Sequence, residues 1–263
     1  MEGSRSAREV QLSLEDVTIV YRRKGSLSMA VDRVSCEVAA GERFVILGPS
    51  GCGKTSLLKS IAGFQQVASG RILLNGRPVV APGRDRAFVF QEFDQLLPWR
   101  TVVGNILFSL LRDRRVDRRE ATARATRYLR MVGLEADRDL YPHQLSGGMK
   151  QRVAIARALA VEPDVLLMDE PFVSLDAITR TRMQGELLQI WEQTRRTILF
   201  VTHNIQEAVI LGSRVMVMSR SPGQIKDILE NHIPADAPLD SLERTQFQAK
   251  LRSLLDVPLE GAP

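Results

Sequence analysis

The residues Gly48-Pro49-Ser50-Gly51-Cys52-Gly53-Lys54-Thr55 constrain this chain more than any other feature in it. They make a complete G-x-x-x-x-G-K-[ST] loop. An apolar run, Phe44-Val45-Ile46-Leu47, leads in, and a helical pattern, Ser56-Leu57-Leu58-Lys59-Ser60-Ile61-Ala62, leads out. Strand, glycine-rich loop and helix in that order form a cradle for phosphate. Glycines let the backbone curl until its N–H groups point inward at an anion. The positive end of the helix dipole aims at the same spot. Lys54 adds a mobile positive charge, and Thr55 offers a hydroxyl suited to Mg2+. The four fixed positions arise by chance in about one chain per hundred of this length, and the flanking strand and helix make coincidence rarer still. The loop and the following Ser56 are therefore read as a nucleotide site.

A chain of 263 residues is long enough for one large α/β domain, or for a core with a subdomain. Charged residues at 25% and apolar residues at 44% fit a globular protein. No apolar run approaches the roughly 20 residues needed to cross a bilayer. Residues 1–9 lack the apolar core of a signal peptide, so a cytosolic location is expected. The 2 cysteines permit at most one bridge. Cys52 sits inside the loop, where Lys54 and a helix start favour a thiolate; a small side chain that simply fits is the plainer reading. The net charge is +5. Its densest source, residues 112–119, is broken by aspartates and has no interleaved aromatics. It reads as a solvated face, and no nucleic-acid partner is expected.

Residues 1–9 read as a disordered tail. Alternation over 10–21 and 30–38 predicts two strands, and Ala40-Gly41-Glu42 turns the chain into the phosphate-loop strand. Asn75-Gly76, after a short strand at 70–74, predicts a hairpin. A strand over 87–90 ends at Gln91. From 101 to 160 the pattern is helical. Thr101 caps a helix running to 111, a second spans 118–132 and stops at Gly133, and a third starts at Ser146 with Val153, Ala156 and Leu159 facing inward. Near-continuous apolar runs at 165–169 and 197–201 predict buried parallel strands, with a helix over 177–194 between them. A strand at 214–218, a hairpin around Pro222-Gly223 and a terminal helix carrying Phe247, Leu251 and Leu254 close the chain. The expected organisation is an α/β nucleotide-binding core (10–90 and 161–230), an inserted helical subdomain (91–160) and a C-terminal extension (231–263).

A second signal is Leu145-Ser146-Gly147-Gly148-Met149-Lys150-Gln151-Arg152, a serine cap and two glycines opening a helix. That is a second anion-binding helix end. It precedes Val165-Leu166-Leu167-Met168-Asp169-Glu170, an apolar strand delivering two adjacent carboxylates. The first suits Mg2+ and the second suits polarising an attacking water.

With these motifs in this order, the chain resembles the ATP-binding subunits of ABC transporters over residues 12–218. The resemblance implies a P-loop core with an antiparallel β subdomain and an inserted α-helical subdomain. Gly48 to Thr55 is similar to the Walker A loop, Gln91 to the Q-loop glutamine, and Leu145 to Gln151 to the signature motif. Asp169 and Glu170 resemble the Walker B aspartate and the catalytic glutamate, Ser174-Leu175-Asp176 the D-loop, and His203 the switch histidine. Tyr21 is the candidate for stacking on adenine. The stretches 89–99 and 139–144 resemble the importers for nitrate, taurine and aliphatic sulfonates. Val173 departs from that group, which usually has glycine there.

The resemblance implies ATP and Mg2+ as ligands and two copies of the chain arranged head to tail. Ser146, Gly147, Gly148 and Gln151 of one copy would close over ATP held by the other, with Asp176 nearby. Lys54 would neutralise the β- and γ-phosphates. Thr55, Asp169 and Gln91 would serve Mg2+, and Glu170 and His203 the attacking water and γ-phosphate. A membrane permease and, through it, an extracytoplasmic solute-binding protein are the implied partners, at the cytoplasmic face of the membrane. A soluble ABC ATPase acting on a macromolecular assembly is the alternative. A P-loop kinase or GTPase would lack residues 145–151.

Overall fold

Phosphate-loop chemistry needs a rigid sheet edge, and most of the chain's apolar runs go into building it. A computed structural model describes residues 9–23, 26–91, 95–113, 115–173, 175–234, 237–238 and 240–255. The chain begins with strands β1 (Val10–Arg23), β2 (Ser26–Ala39) and β3 (Arg43–Leu47), then α1 (Lys54–Ile61). Strands β4 (Ser69–Leu74), β5 (Arg77–Pro78) and β6 (Arg86–Val89) follow. Helices α2 (Val102–Leu110), α3 (Arg118–Met131) and α4 (Gly147–Ala160) come next, with a short 3-10 turn over Pro142–Gln144. The chain closes with β7 (Val165–Asp169), α5 (Ala177–Thr194), β8 (Thr197–Thr202), α6 (Ile205–Leu211), β9 (Arg214–Met218), β10 (Ile225–Glu230) and α7 (Leu242–Leu255).

Two units share these elements: one from residues 1–83 and 196–263, the other from 84–195. In the first, an antiparallel sheet runs β2-β1-β4-β5. The Asn75-Gly76 hairpin joins its last two strands, with Leu74 opposite Arg77. The first unit also holds the strand run β10-β9-β3-β8, in which β3 is parallel to both neighbours. Its central strands are apolar on both faces, as parallel strands covered by helices must be. The turn before β3 is fixed by Glu42, whose buried carboxylate accepts from the Ala39 amide at 2.7 Å and pairs with Arg214 of β9 at 3.2 Å. The C-terminal extension docks on this unit. Helix α7 packs against α6 and β9 and buries Leu251.

In the second unit, β6 and β7 form a parallel pair, and α4 packs on β6. Helices α2, α3 and α4 pack pairwise around Val102, Ile106, Ala125, Leu129, Val153 and Ala156. The capping residues do what their chemistry suggests. Thr101 accepts from Gly104 N, and Asp117 accepts from Glu120 N. Asn105 is fully buried. Its Oδ1 accepts from Leu97 N at 2.8 Å, and its Nδ2 donates toward Leu97 O, Arg100 O and Thr101 O. It pins the loop before α2. Removing it strands several buried backbone groups, so Asn105→Ala is expected to lower stability by about 2–3 kcal/mol, read as an earlier urea midpoint. Among the described residues, no helix is long and apolar enough to cross a membrane.

Candidate functional site

In the first unit, Leu47 of β3 lies opposite Thr202 of β8 and Val217 of β9. Gly48 and His203 therefore follow their strands side by side, next to Met218 at the end of β9, at the C-terminal ends where open α/β sheets present ligand sites. The loop then turns into α1 through Gly53 at φ 97°. A Cβ there would also stand 2.5 Å from Ala30 O of β2. This glycine is required by backbone hand and by the approach of β2. Lys54 is buried, and its Nζ donates to Gly48 O at 2.8 Å and Pro49 O at 3.0 Å. The ammonium is thus folded back over the loop. Ser50 and Gly51 are exposed, and Thr55 and Ser56 are half-buried at the start of α1.

Cys52 is buried, and a Cβ on Gly48 would stand 2.8 Å from its Sγ, so the thiol packs tightly against the start of the loop. The other thiol, Cys36, is pushed up to about 12 by burial and stays protonated. The Tyr21 hydroxyl donates to Gln65 Oε1 at 2.7 Å and meets Ser56 Oγ at 2.8 Å. These bonds fix the half-exposed ring beside the start of α1. His203 is exposed on the turn between β8 and α6.

In the second unit, Val89 lies opposite Met168, so Gln91 and Glu170 emerge from adjacent strand ends. Asp169 is buried, Glu170 half-buried and Gln91 exposed. Glu170 adopts φ 43°, an uncommon left-handed conformation for a non-glycine residue. Residues 92–94 and Ser174 lie outside the described residues. Ser146 caps α4, its Oγ accepting from Met149 N. Gly147 and Gly148 leave that helix start bare, and a Cβ on Gly148 would meet Thr179 Cγ2 at 3.1 Å.

Gln151 is fully buried, on the same stripe of α4 as Ala154, Ile155 and Ala158. Asp176 caps α5, accepting from Ile178 N and Thr179 N. The Thr179 amide, above all, holds its carboxyl below the usual carboxylate range. Sequence reading gave it no capping role, although an Asp just ahead of a helix signals one.

Asp169 and Gln91 in the second unit, and separately Thr55 in the first, each carry a hard oxygen of the kind Mg2+ prefers. Among the described residues there is no cluster of three or more His, Cys, Asp or Glu that could hold a metal.

The sequence profile of the ABC transporter family matches residues 31–173, which include the loop, the Ser146 helix start and the Asp169-Glu170 strand end. The chain belongs to the ABC transporter family. An uncharacterized ABC transporter ATP-binding protein of Methanocaldococcus jannaschii, MJ0412, is 43% identical over 95% of this chain and 93% of its own length. The taurine import ATP-binding protein TauB of Rhizobium johnstonii is 51% identical over 77% of each chain. Among solved structures, a dimeric ATP-binding cassette, MJ0796, in a post-hydrolysis state bound to ADP and Pi matches with a TM-score of 0.74 and 31% identity, covering 85% of this chain and 100% of that one. This ABC protein is an ATP-binding subunit with ATPase activity.

Sequence reading missed α6 and with it the buried Glu207. The signal was present. Asn204 followed three residues later by Glu207 is a helix-start pattern, overlooked because α6 has only seven residues and sits between two strong strands.

Proposed function

We propose that this ABC ATPase powers import of a small solute, of the taurine or sulfonate class, through a membrane permease. The observation that carries the reading is 51% identity, over most of both chains, to a taurine import ATP-binding protein. The chain works as a head-to-tail homodimer at the cytoplasmic face of the membrane, and the permease receives solute from an extracytoplasmic binding protein. Residues 10–90 and 161–230 serve as the nucleotide-binding core and 91–160 as the helical subdomain.

In this reading Lys54 leaves its two loop carbonyls for the β- and γ-phosphates, and the loop amides and α1 start complete an anion cradle. Tyr21 stacks on adenine, its ring held by the Ser56 and Gln65 contacts. Thr55, Asp169 and Gln91 would hold Mg2+, which would offset phosphate charge. Glu170 orients and polarises the attacking water, and His203 holds the γ-phosphate. The bare helix start at Ser146-Gly147-Gly148 closes over the partner's ATP. Such chemistry is almost wholly positioning and charge stabilisation, and a lone subunit would hydrolyse slowly because half of each site comes from the partner.

The permease is read as docking on the loop before α2. Leu97 is half-buried there and Trp99 is 70% exposed; Phe93 lies outside the described residues. Trp99→Glu is expected to leave ATP binding intact and to abolish solute uptake in cells, and normal uptake by that variant would overturn the docking surface. The whole reading is tested by expressing a tagged Glu170→Gln form, solubilising membranes gently with Mg-ATP, and identifying what is captured. Recovery of a permease supports import and narrows the solute. Ribosomal or DNA-bound partners without a permease move the chain to the soluble ABC ATPases.

A further inference from the structure

Glu207 is a buried carboxylate, 5% exposed, that no step above uses. It lies four residues after His203, in the first turn of α6. Its Oε2 accepts from the Thr202 hydroxyl at 2.6 Å. The same Thr202 Oγ1 accepts from the Asn204 backbone N–H at 3.0 Å. Asn204 Oδ1 in turn accepts from Gln206 N at 2.8 Å and Glu207 N at 3.3 Å. An ordinary capping box would have Glu207 reach the Asn204 amide directly. Here a threonine hydroxyl is inserted between them and spends its one proton on Glu207. The closed path Asn204–Thr202–Glu207–Asn204 ties together the residues on both sides of His203. Thr202 itself is anchored in the sheet opposite Leu47, one residue from the phosphate loop.

We propose that Glu207 is a positioning residue for His203: through the Thr202 hydroxyl it fixes the two backbone units flanking the histidine, and so the direction in which the imidazole leaves the sheet. The proposal rests on the role given to His203 under the proposed function. The physical reason for a carboxylate is strength. A bond to a charged acceptor is shorter and about twice as strong as a neutral one, and in a buried site it is little screened.

The test is a double-mutant cycle in the full chain with steady-state ATPase kinetics and nucleotide binding. Glu207→Ala and Thr202→Val remove the same hydrogen bond from its two ends. Each is expected to lower kcat about tenfold with KM for ATP and nucleotide affinity changed less than about twofold. Added to His203→Ala, either change should cost almost nothing more, because the residue it positions is gone. Glu207→Gln, which keeps an acceptor of the same shape, should recover most of the rate. Asn231→Ala serves as the structural control. Asn231 Nδ2 donates to Val209 O and Gly212 O at the far end of α6, so its loss should lower the melting temperature yet combine additively with His203→Ala. Overturning results are an undiminished kcat in Glu207→Ala, or a loss that adds fully to His203→Ala. If His203→Ala alone turns over at the wild-type rate, the histidine's role fails and the positioning role with it. A slow His203→Ala beside a fast Glu207→Ala removes only the inference drawn here.

Discussion

Glu170→Gln is expected to bind ATP with near wild-type affinity and to hydrolyse it at least about 10²-fold more slowly, the scale of losing a positioned group that assists proton transfer. The substitution keeps size and hydrogen-bonding capacity but removes the charge that polarises water. The binding loop lies in the other unit, with Lys54, Thr55 and the α1 start unchanged. The resulting species should accumulate as an ATP-bound dimer, visible by gel filtration with Mg-ATP and absent with ADP. Hydrolysis at the wild-type rate would remove Glu170 from the mechanism. The left-handed backbone at this residue makes a further point: Glu170→Gly should relieve local strain, so a variant that is more stable and yet inactive would separate the conformational role from the chemical one.

The second large effect is expected at Lys54. Lys54→Ala should weaken ATP binding about 10–100-fold, the range for loss of a hydrogen bond to a charged group. AMP, which lacks the β- and γ-phosphates, should be much less affected. In the structure the ammonium is held by the carbonyls of Gly48 and Pro49, so its removal also frees two loop acceptors to solvent. A fluorescent ATP analogue titrated against both proteins gives the answer, and unchanged affinity would count against the phosphate-loop reading.

Much of this was legible in the sequence because the parts are local. Thr101 and Ser146 are short polar side chains placed just before helical patterns, and each became a helix cap. Residues 43–47 and 165–169 are apolar on both faces and became parallel strands. What escaped was tertiary. The 3.6-residue stripe of α4 that buries Gln151 beside Ala154, Ile155 and Ala158 is one such packing effect. The start of β2 at Ser26 was missed because Ser26 to Met29 are exposed and show no buried alternation, although they pair with β1. Whether the C-terminal extension docks on the core or on a partner depends on contacts of Leu251 with elements about 40 residues away, which no local pattern encodes.

The strand that carries the phosphate loop has both its neighbours, β8 and β9, near the far end of the chain. A ribosome making about 5–20 residues per second needs on the order of ten seconds to deliver them after β3 has emerged. Throughout that interval an edge of Phe44, Val45, Ile46 and Leu47 has no pairing strand, while the second unit, continuous from 84 to 195, can already fold. The nascent protein therefore carries an apolar strand with both edges unpaired until β8 and β9 emerge, the kind of transient exposure that a chaperone would shield.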